Sequence, residues 1–291
     1  MTVLAHGAGQ DLHGPALLLL AWATGLAVLG GWCYVRGLRR LRRHPQGRRR
    51  HTWRAVALAG AVVVLLTVSL PPVGELLEQR LTAHMAQHVV LVMVVAPLLA
   101  LAAPGQPLLA GLPVAARRRI VELTHRLPLA VVFTPPLAWA LHIGALWLWH
   151  LPAAYDAALQ TEVMHLLEHA SFLGTAWLFW WHLATLSRRR LRGPAAMFYT
   201  VSAMAPGAAL GAMLTFAGAP LYPAQAAAAA AAGVDPLLDQ RIGGLVMWVP
   251  LDLVYVLVAV GLFASWFHRL EQSHDPGPLP VSPHPEPTGV S

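Results

Sequence analysis

Two pairs of histidines are the residues of this sequence with the clearest chemical potential. His84 and His88 form one pair and His165 and His169 the other, and both have the spacing His-x-x-x-His. Residues four apart share one face of an α-helix, with Cβ atoms about 5–6 Å apart, so each pair could hold a metal ion. One such pair in an apolar helix can also be an interfacial anchor, but two pairs favour metal binding.

The neighbouring side chains bear on which metal would bind. Imidazole suits copper, zinc and iron, whereas thioether sulfur selects Cu(I). Met85 and Met164 each adjoin a histidine, and Met247 lies in a later apolar run. Because adjacent helical residues point about 100° apart, these sulfurs need not face the histidines, and packing is the expected role of most of them.

Other polar groups are candidates for a supporting role. Glu168 precedes His169 and could either hydrogen-bond a ligand or accept a proton. His150 ends the fourth apolar run, and Asp239 precedes the seventh. Cys33 is the single cysteine, which argues against a closed structural zinc site.

Asp252 is the carboxylate that lies within an apolar run. An ionisable group in that position is costly, so it needs a partner or a proton. His142 is expected at a similar depth, about 12 Å along its helix from His150, and is one candidate partner. A protonated Asp252 that hydrogen-bonds a neighbouring helix is the other interpretation.

The composition identifies the kind of chain that carries these groups. Hydrophobic residues make up 57% of the 291 residues and charged residues 11%, against roughly 25% charged in an average soluble domain. The net charge of +7 could suggest nucleic acid, but all 20 basic residues are arginines in short clusters between apolar runs. This distribution is typical of membrane-protein loops, so an integral membrane protein without a nucleic-acid partner is predicted.

Seven apolar runs are long enough to cross a bilayer, which takes about 20 residues. They are continuous and lack the alternation of barrel strands, so they are expected to be helices. The prediction is an all-α, polytopic fold whose seven transmembrane helices cover residues 15–35, 54–70, 81–103, 129–151, 160–183, 194–217 and 243–267.

The arginines also predict the orientation of these helices. With the N-terminus outside, every arginine except Arg80 and Arg241 falls on the inner side. Since cytoplasmic loops carry the arginine excess, an N-out, C-in topology follows. Both histidine pairs then lie near the outer ends of helices that run inward, at similar depth.

The remaining segments are assigned by composition. Residues 1–14 are predicted as an extracytoplasmic N-terminus and 15–270 as the seven-helix domain. The alanine-rich stretch within 223–242 is either a short surface helix or a flexible loop. The proline-rich residues 271–291 are predicted as a disordered cytoplasmic tail.

In combination, several of these motifs resemble the multi-spanning CtaG-type assembly factors of caa-type cytochrome c oxidases. The likeness covers roughly residues 50–270, and the stretches that carry it are His84-Met85-Ala86-Gln87-His88, Ala96-Pro97-Leu98-Leu99, Trp149-His150-Leu151-Pro152-Ala153-Ala154-Tyr155-Asp156, His165-Leu166-Leu167-Glu168-His169, Phe179-Trp180-Trp181, Asp239-Gln240 and Gly244-Leu245-Val246-Met247-Trp248-Val249-Pro250. The resemblance implies a protein of the bacterial cell membrane that helps to mature a terminal oxidase. It makes the four paired histidines the leading ligands, with His150 and Asp239 as support.

The favoured hypothesis is a non-enzymatic assembly protein that binds copper near the outer membrane face and passes it to the oxidase. Oxidase subunits and the lipid bilayer are the expected partners, with a copper chaperone as a further candidate. The alternative is a haem-binding oxidoreductase with one axial histidine from each of two helices. A metal permease is disfavoured because no polar ladder crosses the inner half of the spans.

Overall fold

The computed structural model describes residues 14–43, 45–69, 80–126, 129–184 and 191–274, and the regular structure within these ranges is entirely helical. The helices are α1 (Gly14–Leu41), α2 (Pro45–Val68), α3 (Leu81–Ala102), α4 (Gly105–Gly111), α5 (Val114–Arg126), α6 (Leu129–Val132), α7 (Pro135–Trp149), α8 (Pro152–Gln160), α9 (Glu162–Ala184), α10 (Gly193–Phe216), α11 (Pro223–Ala231) and α12 (Pro236–His274).

Four helices of the described residues are long and apolar enough to cross a membrane: Arg48–Val68, Leu81–Ala102, Gly193–Phe216 and Pro236–Gln272. These correspond to the second, third, sixth and seventh predicted spans. The fifth predicted span is helical as α9, but two glutamates and three histidines lower its hydropathy. The seven-span count and the orientation therefore stay predictions.

The fourth predicted span, residues 129–151, is not one continuous helix. It is divided into α6 and α7 at Phe133 and Thr134, which precede Pro135 and Pro136. Proline lacks the N–H that would continue the helix, and it disfavours helical geometry in the residue before it.

The segments at the two ends of the chain lie largely outside the described residues. The predicted N-terminus contributes only its last residue, at the start of α1, and of the predicted tail the helix α12 includes residues 271–274. Between α10 and α12, the alanine-rich stretch forms the short helix α11, which is the first of its two predicted alternatives.

The core lies where α3, α9, α10 and α12 pack together, with α7 and α8 beside α9. The α10–α12 contact is close because glycines face it. A Cβ atom at Gly211 would lie 2.5 Å from Trp248 Cβ, and one at Gly244 would lie 2.5 Å from Thr215 Oγ1. These contacts fix α12 against α10 and leave its N-terminal half beside α3.

A π-helical turn at Leu91–Val95 interrupts α3. Such turns change the rotation of the residues that follow and are frequent near functional sites. Trp180 of α9 donates a 2.9 Å hydrogen bond from Nε1 to the Val92 carbonyl, which holds the turn in place. The turn separates the histidine face of α3 from the stretch Ala96–Ala102, which packs on α2 and α9.

Candidate metal centre

The first turn of α3 is held by a carboxylate from another helix. Asp239 of α12 accepts a 2.6 Å hydrogen bond at Oδ2 from the Leu81 amide and bonds of 3.3 and 2.7 Å at Oδ1 from the Thr82 amide and hydroxyl. Arg80, the residue before the helix, contributes no side-chain cap. Asp239 therefore satisfies the free amides and complements the helix dipole. It supports His84 through the backbone and lies outside the cluster of imidazoles.

His84 and His88 follow on the buried face of this helix. Their exposed fractions are 3% and 5%, and their ring centroids are 4.2 Å apart. Gln87, also buried, donates a 2.9 Å bond from Nε2 to the Val68 carbonyl and ties α3 to the end of α2. The start of α3 is thus anchored by α12 on one side and α2 on the other.

The first half of α9 supplies three more groups to the same place. His165 and His169 are half-buried, with ring centroids 4.3 Å apart, and Glu168 is 1% exposed. Residues three and four apart share a helix face, so Glu168 and His169 both lie on the side of His165. This face packs on the histidine face of α3.

Rings from the two helices meet in register. The His84 and His165 centroids are 5.9 Å apart, and those of His88 and His169 are 5.2 Å apart. Because the earlier residue of one pair meets the earlier residue of the other, α3 and α9 run parallel here. We call His84, His88, His165, Glu168 and His169 the histidine–glutamate cluster.

Glu168 lies at the centre of this cluster. Its Oε1 atom is 3.7 Å from Nε2 of both His84 and His88. That separation is too long for a hydrogen bond. Ligand atoms of His84, His88 and Glu168 lie within 4.8 Å of one another, and so do those of His165, Glu168 and His169.

Several donor atoms of His84, His88, Glu168 and His169 are buried without a hydrogen-bond partner. Within the described residues, both carboxylate oxygens of Glu168, both ring nitrogens of His88, and Nε2 of His84 and His169 have no hydrogen-bond partner. Buried polar groups are normally satisfied, so a set of convergent orphan atoms calls for an explanation. Imidazole and carboxylate donors at these spacings fit a metal ion, which would take up their lone pairs.

His150 lies next to the cluster. Its Nδ1 is 2.7 Å from the Leu146 carbonyl, so Nδ1 carries the proton and donates, and the buried Nε2 keeps its lone pair. Metal-binding histidines commonly have this arrangement. His150 is within electrostatic range of His84 and His88 but outside the two groups of converging ligand atoms. Its supporting role stays a prediction.

Two tyrosines that were not singled out in the sequence close the cluster. The Tyr155 ring lies 5.4 Å from His84 and 4.2 Å from Tyr222. The Tyr222 hydroxyl donates a 3.0 Å hydrogen bond to the His150 carbonyl. Burial, with Glu168 nearby, raises the pKa of Tyr155, and burial raises the pKa of Tyr222, so both stay neutral. Tyr155 was available from the sequence as part of the stretch Trp149–Asp156, whereas nothing local indicated Tyr222.

The pair of His142 and Asp252, one of the two interpretations of Asp252, is not formed. His142 Nε2 lies 3.2 Å from the hydroxyl of Tyr255, three residues beyond Asp252 on α12. Asp252 is half-buried, and its Oδ1 has no hydrogen-bond partner in the described residues. A helical step of three residues keeps the same face, so Tyr255 lies where the estimated depth had made Asp252 one candidate partner.

The three methionines have different environments. Met85 is fully buried and Met247 is 3% exposed, and both belong to the hydrophobic core. Met164 is 40% exposed on α9. The packing interpretation thus agrees with the positions of Met85 and Met247.

Comparisons with known proteins point to one family. A family model for the cytochrome c oxidase caa3 assembly factor matches residues 32–269. An uncharacterized protein of Mycobacterium leprae is 27% identical over 268 residues, which are 86% of this chain and 40% of that protein. The chain therefore spans about two fifths of the length of that relative. No solved structure matches the chain.

Proposed function

The chain belongs to the family of cytochrome c oxidase caa3 assembly factors, and we propose that it binds copper in the histidine–glutamate cluster and delivers it to an oxidase subunit in the membrane. An assembly role fits a non-catalytic protein. The apolar helices α2, α3, α10 and α12 fit a membrane location. Oxidase subunits are accordingly its partners in this proposal.

One observation carries the copper proposal: four imidazoles and a carboxylate from two parallel helices converge, and ligand atoms of His84, His88, Glu168 and His169 have no hydrogen-bond partner among the described residues. His84, His88 and Glu168 are buried, and desolvating a carboxylate without a compensating charge is expensive. A bound cation would compensate that charge.

The donor set favours copper among the available ions. Nitrogen and oxygen donors bind divalent first-row metals in the order that peaks at copper. The cluster contains no thiolate, and the one cysteine, Cys33, lies on α1 and is buried elsewhere. Structural zinc sites usually hold cysteine ligands, so a closed structural zinc centre is a poorer match.

The graded exposure of the ligands suits transfer rather than storage. His84, His88 and Glu168 are buried, whereas His165 and His169 are half-buried at the edge of the cluster. An ion could therefore enter and leave past the α9 pair while the α3 pair and Glu168 hold it inside. This is the arrangement that we expect of a protein that releases its cargo to a partner.

Haem is a less suitable occupant. Two axial imidazoles must face each other across a flat macrocycle, but the space between the α3 and α9 pairs is taken by Glu168. The His84 and His88 rings also lie in contact with each other. A space wide enough for haem would require α3 and α9 to separate.

The decisive experiment replaces His84, His88, His165 and His169 together with alanine. We expect the purified variant to lose stoichiometric copper and the cells to lose active oxidase, while the protein still accumulates in the membrane because its apolar helices remain. His268→Ala, at an exposed histidine of α12, is the matched control. Wild-type oxidase activity with the quadruple variant would reject the proposal.

A further inference from the structure

A large apolar cavity lies at the opposite end of α3 and α9 from the histidine–glutamate cluster. Its volume is about 800 Å³, and it is bounded by α2, α9, α12 and the C-terminal stretch of α3. Ala100 of α3 and Trp180 of α9 line it. Ala100 is 12 residues beyond His88, which is about 18 Å along a helix, so the cavity is separate from the metal centre.

Two arginines of α2 stand at this cavity. Arg54 is 7% exposed, and its guanidinium donates a 2.6 Å bond to the neutral Gln106 side chain. Arg50 is exposed and lies four residues earlier on the same helix face, where like charges repel. In the ranges that the structure describes, no ion pair involves an arginine, and no carboxylate lines the cavity.

A buried guanidinium without a counter-charge indicates a missing anion, because a buried charge is stable only when it is paired. The remaining walls are apolar, from residues such as Ala57, Leu183 and Leu262. A ligand with an anionic head and a hydrocarbon tail matches both the guanidinium and the apolar walls. Basic pockets between membrane helices commonly bind such lipids.

We propose that this cavity is a binding site for one anionic phospholipid, with its phosphate held by Arg50 and Arg54 and an acyl chain in the apolar space. A second surface hollow is lined by Arg36, Arg39 and Arg40 of α1 and by Arg43, which follows that helix. Arg40 donates a 2.8 Å hydrogen bond to the Ala110 carbonyl of α4. This bond places the hollow at the same end of the molecule as the cavity. The local excess of positive charge strengthens the attraction for anionic over zwitterionic headgroups.

The test uses the full chain, purified in detergent, delipidated and offered equal amounts of phosphatidylglycerol and phosphatidylcholine with identical acyl chains. Native mass spectrometry counts the lipids that stay bound. We expect one phosphatidylglycerol per chain in clear preference to phosphatidylcholine. Arg54→Gln should weaken its retention about tenfold or more, as the loss of a charged hydrogen bond implies.

Two further variants separate the parts of the site. Gly261 lines the cavity and a Cβ there would meet open space, so Gly261→Leu fills the tail site without a clash and should reduce binding. Gly174→Leu, also in open space but away from the cavity, is its control. Arg49→Gln makes the charge change of Arg54→Gln at an exposed residue outside the cavity and should leave retention unchanged.

Equal retention of the two lipids would overturn the proposal, as would equal losses with Arg54→Gln and Arg49→Gln. If inorganic phosphate alone prevented phosphatidylglycerol from binding, the site would be one for a free anion, and the lipid proposal would be rejected. A photo-crosslinker at Gly261 that captures a protein in native membranes, and no lipid, would identify a partner helix instead. If Arg54→Gln does not fold, the exposed Arg50→Gln carries the same test.

Discussion

Replacing Glu168 with glutamine tests the centre of the proposed copper site at a single atom. The change keeps the size of the side chain and removes one negative charge from a group that is 1% exposed. It leaves the histidines in place, so any effect on copper comes from the carboxylate. Glu162→Gln, at an exposed residue on the same helix, is the matched control.

The magnitude follows from the distances around the carboxylate. Oε1 of Glu168 is 3.7 Å from Nε2 of His84 and of His88. Two unit charges 4 Å apart attract by about 4 kcal/mol at an effective dielectric constant of 20, and a cation held between this carboxylate and the two imidazoles would be attracted at least that strongly. Proton release on metal binding offsets part of this attraction. Mutating a residue that hydrogen-bonds a metal ligand typically lowers metal affinity about 10–100-fold. Mutating a direct ligand is therefore expected to lower it more than about 100-fold.

The same substitution is expected not to destabilise the metal-free protein, although it weakens copper binding. A buried carboxylate without a counter-charge destabilises the fold, so the neutral amide should leave the apoprotein as stable as before or more stable. Chelator competition measures copper affinity, and thermal unfolding of the apoprotein measures stability. Unchanged copper affinity in Glu168→Gln, or an equal loss in Glu162→Gln, would refute the assignment of Glu168 to the site.

Other substitutions and conditions test the supporting structure. Asp239→Asn should lower the unfolding free energy by about 1–2 kcal/mol, since the cap of α3 is lost, and thermal unfolding measures this change. Gly211→Leu should destabilise the protein by about 3 kcal/mol or more, because the new side chain overlaps Trp248. Gly218→Leu, at a residue in open space, should not destabilise it. Thermal unfolding of the two variants makes the comparison. The raised pKa of Tyr155 means that its stabilising contribution is complete below about pH 10 and is lost above it, so Tyr155→Phe should flatten the fall in melting temperature at alkaline pH. The purified protein should show no stoichiometric Soret band, and the appearance of one would favour the haem alternative.

The spacing of the histidines was sufficient to predict each half of the candidate site. Residues four apart share a helix face whatever the fold, so the approach of His84 to His88 and of His165 to His169 needed only that both segments be helical. Glu168, three residues after His165, could have been placed on that face by the same rule. The sequence-based interpretation instead gave it a supporting or proton-accepting role because it considered only its adjacency to His169.

Prediction from local sequence was weakest where a contact joins distant segments. Estimated depth made Asp252 one candidate partner of His142, yet the rotation of α12 presents Tyr255 to this histidine instead. Asp239 was predicted to lie near the site, but its hydrogen bonds to the first turn of α3 depend on how α12 crosses that helix. Rotation and crossing angle are set by side-chain packing, which a hydropathy pattern does not contain.

By itself the sequence determined an apolar, helical chain with a pair of histidines on one face of each of two helices, since composition and helical periodicity are properties of neighbouring residues. Only the tertiary structure decided that these two faces meet around Glu168, that α6 and α7 are separate helices, and that Arg54 lies buried beside an apolar cavity. Those outcomes depend on which helices lie side by side, and that choice is made by close packing of residues far apart in the chain.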